Sequence, residues 1–438
     1  MDRLPTLVLK VLLGWVVVLH AFGEAETGRD TSMHLEKEKP KHLGVASCAS
    51  AVCHGSVSPK NVTAVLQNEY VVWSRYDRHR HAYQILFSEQ SERIARNLGY
   101  DNAFEADVCL DCHTDNVAED NRGERFQLSD GIGCETCHGG AEHYVSLHTT
   151  PDVSRQELYA AGLVQLDTPH ARAEVCLSCH VGNAEKSATH QIMGAGHPRL
   201  VFELDTFGVM QPAHYRVDDD YRLRKWSGDH LTVWALGQVA MAEHSLRRIR
   251  DSLVTDEGFF PELSLYDCHA CHHELGDIRW KRQGRNMLPP GSVRLNDAGL
   301  VMLLAIAQVL APDLSRRLEG EIRQLHRDSQ VRNRLDVAIG RLENTVTQLR
   351  DRMTTSQLFD RRQALLRGVV DEGRSGAYRD YVAAEQAVMA IDLLLDANGL
   401  RETQQPWIDR LFESVDNEDD FSHDKFVEVL SSFDTSAG

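Results

Sequence analysis

Residues 131–140 read GIGCETCHGG, and the five letters at their centre, CETCH (134–138), decide how the rest of the chain is read. Two cysteines three positions apart, with a histidine directly after the second, have the spacing that ties a porphyrin to a polypeptide. The two thiols reach the two vinyl groups on one porphyrin edge, and the next residue is placed under the iron as its proximal imidazole. The same spacing recurs as CLDCH (109–113), CLSCH (176–180) and CHACH (268–272). At ordinary cysteine and histidine frequencies, chance supplies on the order of 0.01 such strings in a chain of this length, so four are not accident. A zinc knuckle needs no histidine at that fixed offset. A redox C-x-x-C pair is equally indifferent to the residue that follows it.

All ten cysteines fall into five pairs that each end in histidine, and the remaining pair is CASAVCH (48–54), with four residues between its thiols. Beside four ordinary sites, Cys48 and Cys53 are most simply a fifth attachment whose two extra residues bulge out between the thioethers. A disulfide with His54 incidental is the alternative. The sequence thus predicts five covalently bound haem c groups on Cys48, Cys53, Cys109, Cys112, Cys134, Cys137, Cys176, Cys179, Cys268 and Cys271. Their proximal iron ligands are His54, His113, His138, His180 and His272.

The opening residues MDRLPTLVLKVLLGWVVVLHAFGEA carry Arg3 and Lys10, an apolar run from Val11 to Val18 and a small-x-small ending, which reads as a signal peptide over 1–23. The run is well short of the roughly 20 residues a spanning helix needs, as is GLVMLLAIAQVLAP (299–312), so no stable membrane insertion is expected after cleavage. A periplasmic location follows. The net charge of −18 argues against nucleic acid or an anionic membrane as a partner and favours a basic or neutral protein surface.

After an N-terminal linker (24–43), residues 44–288 read as a pentahaem cytochrome c domain with little regular structure, helices being expected at 62–97 and 229–253. Beyond the Pro/Gly-rich GRNMLPPGSV (284–293) the cysteines stop and the pattern turns helical. Leu335, Ile339, Leu342, Val346, Leu349 and Met353 alternate steps of four and three, as do Tyr381, Ala384, Val388, Ile391 and Leu395. The expected fold class is therefore mainly α: the multihaem domain followed by a helical hairpin or bundle over 293–438. The acidic DNEDDFSHDKF (416–426) lacks the glycine and terminal glutamate of a calcium loop.

The chain resembles the cytochrome c-554 family of multihaem proteins through its first motif, WSRYDRHRHAYQIL (73–86), CLDCH, GIGCETCHGG with a nearby histidine, and EVCLSCH (174–180). It is similar to larger members through THQIMGAGHPRLVFELD (189–205), PAHY (212–215) and YDCHACHHEL (266–275). The likeness covers about 240 of 438 residues. It implies electron transfer between redox partner proteins. The C-x4-C-H first site and the fifth haem depart from the small tetrahaem members, so roles are not carried over haem by haem.

Twelve further histidines lie between residues 79 and 273, more than twice what five irons could use as distal ligands. The resemblance implies His79, four residues before Tyr83 in the family's H-x-x-A-aromatic pattern, with His81 as fallback. It also implies His143, which follows CHGGAE, with His148 competing, and His190, His197 and His214 in the stretches shared with larger members. His230 and His244 read as ordinary helix residues, and His269 and His273 crowd the fifth motif. Met193 and Met210 are the thioether alternatives.

Mostly bis-histidine irons would make the protein an electron carrier. The competing reading is an oxidoreductase acting on a small nitrogen or sulfur compound at a five-coordinate haem, although the C-x-x-C-K marker of nitrite reductases is missing from the sequence. In a third reading, compatible with both, the helical C-terminal third is a docking module.

Overall fold

The computed structural model describes residues 39–60, 65–226, 228–253, 261–272 and 293–433. The signal segment 1–23, most of the linker, His273 and residues 273–292 with most of the Pro/Gly stretch lie outside the described residues. The fold is mainly α, as expected. No strand occurs among the described residues, which hold two isolated bridges, His42 with Arg122 and Tyr266 with Leu295.

Up to residue 226 the helices are short, and three of them end on a motif histidine: Asp107–His113, Cys134–His138 and Pro169–His180. On a helical turn, residues three apart share a face, so both thiols of a motif project together and the histidine follows one step round. Each helix then stops. Gly139, at φ 81°, turns the chain away directly after His138, and a Cβ there would lie 2.4 Å from the Gly162 carbonyl oxygen. The Pro169–His180 helix starts on a Thr168 side chain that accepts from the Ala171 N–H, with proline at its first turn.

The helix expected over 62–97 is broken into Glu69–Tyr76, two single 3-10 turns and Glu89–Leu98. Asp77 and Ser88 cause the breaks. Both are extended, and their side chains accept from the backbone N–H of His79 and Ser91 to restart the chain.

Apolar packing in this half is sparse. Its clusters are Leu86, Ala95, Ala103 and Leu110 in one place, and Ala173, Leu177, Phe202, Leu204 and Ala240 in another. A segment this long ordinarily buries one continuous core.

The second half has that core. The expected 229–253 helix is His230–Asp251, begun by Asp229, whose side chain accepts from the Thr232 N–H. It is buried on several sides because Pro169–His180 packs on one flank, and Ala298–Leu310 and Arg332–Arg352 pack on others. Gly237 allows the closest approach, since a Cβ there would lie 2.7 Å from Leu204 Cβ.

Together with Pro312–Asp328, Arg362–Arg374 and Tyr381–Ala397, these helices share one hydrophobic cluster. The stripe Leu335, Ile339, Leu342, Val346 and Leu349 is fully buried in it, as are Ala384, Ile391 and Leu395. Each such leucine or isoleucine stabilises the fold by about 2 kcal/mol. The apolar 299–312 run lies mostly in Ala298–Leu310, a helix buried nearly all round. Among the described residues no helix is long and apolar enough to cross a membrane. Residues Lys39–Gly438 form one compact unit.

Candidate functional site

Each proximal histidine faces a second histidine. Ring centroids lie 6.2 Å apart for His54 and His148, 6.4 Å for His113 and His197, and 6.3 Å for His138 and His214. They lie 6.2 Å apart for His180 and His79, and 6.1 Å for His272 and His190. A metal–imidazole bond of about 2.0 Å, plus about 1.1 Å from nitrogen to ring centre, would place two imidazoles that share one iron about 6.2 Å apart. Five independent pairs sit at that separation, and one of each pair follows its two cysteines directly. The residues fit haem c.

The rings are also aimed. An iron ligand that binds through Nε2 needs an acceptor for its Nδ1–H to fix tautomer and orientation. His54 Nδ1 donates to Glu69 Oε2 at 3.0 Å, and His79 Nδ1 to Asp77 Oδ1 at 2.9 Å. Backbone carbonyls serve three more: Ala82 for His113 at 2.9 Å, Tyr144 for His148 at 3.0 Å, and Pro198 for His197 at 2.7 Å. His180 and His214 bond to the backbone of Val201 and Pro212.

Electrostatics divide these histidines into two kinds. The Glu69 hydrogen bond raises the His54 pKa, and the Asp77 bond raises that of His79. Burial lowers His113, His180 and His214, and pushes His138 down to about 4. Buried rings are thereby kept neutral, the form that binds a metal.

Of the distal candidates read from the sequence, the structure places His79, His190, His197 and His214 opposite proximal rings. His143 is not among these pairs. Its ring is 56% exposed with Nε2 3.8 Å from Glu142, and His148 faces His54 instead. The turn that donates His148 N–H to the Tyr144 carbonyl carries His148 back toward the first motif.

Other histidines are engaged elsewhere. His81 Nδ1 meets Gln84, His230 Nδ1 meets Asp205, His170 Nε2 meets Glu243, and His244 bonds to the Gly182 carbonyl. Met210 is two-thirds exposed.

The thiols show which sites are neighbours. Cys48 lies beside Cys134, across the first and third motifs, and Cys112 beside Cys179, across the second and fourth, each thiol shifting the other's pKa. Cys137 feels Cys176 and Cys179, and burial pushes it up to about 12. His190 and His197, which flank the His190–Gly194 helix, face the fifth and second motifs. The neighbour order is thus first, third, fourth, second, fifth.

Carboxylates hold this arrangement, and none was signalled by the sequence. Glu135, inside CETCH and 3% exposed, accepts from the N–H of Leu43 at 2.7 Å, Gly44 at 2.7 Å and Ala141 at 2.8 Å. These donors offset the cost of burying its carboxylate and tie Leu43 and Gly44, just before the first motif, to the third motif. Glu262 joins the two segments of the fifth pair. It accepts from His190 N–H at 2.9 Å and, through its other oxygen, from Ser264 N–H at 2.8 Å.

No curated protein and no solved structure matches the chain. Residues 47–139 match the family described as cytochrome c554 and c-prime, over a stretch that holds the first three Cys/His motifs and His79. The match supports a c-type cytochrome of the c554 kind, with covalently bound haem c and a redox role.

Proposed function

We propose that the protein is a periplasmic five-haem c-type cytochrome that carries electrons between redox proteins. The observation that carries this reading is the set of five histidine pairs at 6.1 to 6.4 Å. Cys48/Cys53, Cys109/Cys112, Cys134/Cys137, Cys176/Cys179 and Cys268/Cys271 hold the five groups. The pairs that would hold the five irons are His54/His148, His113/His197, His138/His214, His180/His79 and His272/His190.

Haem c supplies a one-electron iron couple when bound. The chain's residues do the rest. Two imidazoles facing each other at every site would hold the iron from both sides and leave no place for a small substrate. Acceptors on Nδ1 would hold His54, His79, His113, His148 and His197 in one orientation, so that little rearranges there when the charge changes. Glu69 and Asp77 place negative charge behind two of the irons. That donor set suits outer-sphere transfer, and the net charge of −18 suits basic or neutral partner surfaces.

Intact mass and electron paramagnetic resonance of the oxidised full-length protein test the proposal together. Five haems and five low-spin irons are expected, with negligible turnover of nitrite or hydroxylamine. One high-spin iron in five, coupled to steady-state turnover that cyanide abolishes, would overturn it in favour of a catalytic haem.

A further inference from the structure

The fifth histidine pair is tied to the C-terminal core through the residues on either side of its motif. The residues that precede its motif belong to the C-terminal core: Leu265 and Tyr266 are buried in that cluster. Tyr266 bridges to Leu295, Asp267 N–H donates to the Arg294 carbonyl at 2.8 Å, and Asn296 N–H donates to the Leu265 carbonyl at 2.8 Å. Gln330 Nε2 reaches the Tyr266 hydroxyl at 2.8 Å. The segment is stitched to the bundle on both edges.

Behind that seam, the buried Arg294 guanidinium lies 3.1 Å from Asp297 and 2.5 Å from Asp380. Asp380 also caps Tyr381–Ala397 by accepting from the Ala383 N–H. On the other side of the motif, the His269 ring meets Phe421 at 5.8 Å, and Phe421 meets Tyr381 at 5.7 Å. Arg199, two residues after His197, lies 5.0 Å over the Tyr381 ring and pairs with Glu418 at 3.1 Å and Glu385 at 3.4 Å. By contrast, Glu69, Asp77, Ala82, Tyr144 and Val201, which hold ligands of the first, second and fourth motifs, all precede residue 202.

We propose that the C-terminal bundle is a wall of the fifth haem site, positioning Cys268–His272 and supplying the carboxylates that set the surroundings of that one centre. The proposal rests on reading Cys268, Cys271 and His272 as a haem attachment. Glu418 and Glu385 together face the single Arg199 guanidinium, and Asp297 and Asp380 the single Arg294 guanidinium, so carboxylates outnumber cations beside the motif. The local field is therefore negative. A negative field favours the more positive, oxidised iron, so the bundle holds this centre at a lower potential than its ligands alone would set. Glu418 is a positioning and tuning residue here, not a ligand.

Two full-length variants test this: Glu418→Gln, and Phe421→Ala combined with Gln330→Leu. The fifth centre is first identified as the low-spin resonance that disappears, with one haem of mass, when Cys268 and Cys271 are both replaced by alanine. If that replacement leaves the haem count unchanged, the underlying attachment reading fails, and the proposal with it. If the attachment stands, Glu418→Gln is expected to raise the midpoint of that centre. The double variant is expected to shift its resonance or lose its haem while the other four remain. All five midpoints and resonances unchanged in both variants, or several centres disturbed equally, would overturn the proposal with the attachment reading intact.

Discussion

Asp77→Asn removes one negative charge from behind His79 and keeps an oxygen acceptor for its Nδ1–H. Asp77 is 5% exposed and its Oδ1 stands 2.9 Å from His79 Nδ1. Against burial, which would raise it, hydrogen bonds from His79 hold the Asp77 carboxyl below its ordinary range, so the charge is present near neutral pH. Continuing across the imidazole ring and a metal bond of about 2.0 Å puts that charge about 7 Å from the iron that His79 and His180 would share.

At an effective dielectric of about 20, a unit charge at that distance is worth about 2.4 kcal/mol. For a one-electron couple this is a midpoint shift of about 100 mV. Burial limits screening, so the shift should persist at physiological salt. Spectroelectrochemical titration of wild type and variant should show one of five midpoints rising by about that amount. If no midpoint moves by more than about a fifth of it, Asp77 does not stand behind an iron ligand and the pairing of His79 with His180 is refuted.

His148→Ala should convert one low-spin iron to high-spin in the electron paramagnetic resonance spectrum, while His143→Ala should leave all five unchanged; the opposite result would restore His143 as the distal ligand of the first site. Replacing Cys48 and Cys53 by alanine should lower the intact mass by one haem, and an unchanged count would return CASAVCH to the disulfide alternative. Burial, then repulsion from Asp380, pushes Asp267 up to about 6. Its contribution to stability is therefore complete below about pH 4 and lost as pH rises through about 6. Asp267→Asn should stabilise the protein against urea by up to about 3 kcal/mol at about pH 7.5, with no gain at about pH 4; an equal gain at both pH values would rule out this titration.

The five Cys/His motifs stand out in the sequence because porphyrin chemistry would fix their spacing along the chain, whatever the fold. Helical stripes such as Leu335 to Leu349 were legible for a similar reason: one period of the chain maps onto one face. Partners in space carry no such local rule. His143 and His148 satisfy the same sequence pattern, and only the turn beginning at Tyr144 shows which ring reaches His54. Glu69, Asp77, Glu135 and Glu262 look like ordinary surface acids in the sequence, because what distinguishes them is a donor brought in by the fold. The break of the 62–97 helix was hidden too, since Asp77 and Ser88 are common inside helices and only their caps reveal the stop. The joining of the fifth motif to the bundle runs through backbone bonds of residues 265–267 and 294–296, which side-chain patterns cannot register.

The meeting of Cys48 with Cys134, and of Cys112 with Cys179, bears on how the protein is made. In an oxidising compartment, two thiols held side by side close to a disulfide unless something else has taken them first. Either bridge would consume one cysteine from each of two motifs, so a single wrong bond would cost the protein two cofactors. The fold that brings the sites together is thus a trap for a chain that reaches it bare. If haem attaches at these motifs, thioether formation before compaction would avoid the trap, and the chain would best receive haem while still extended.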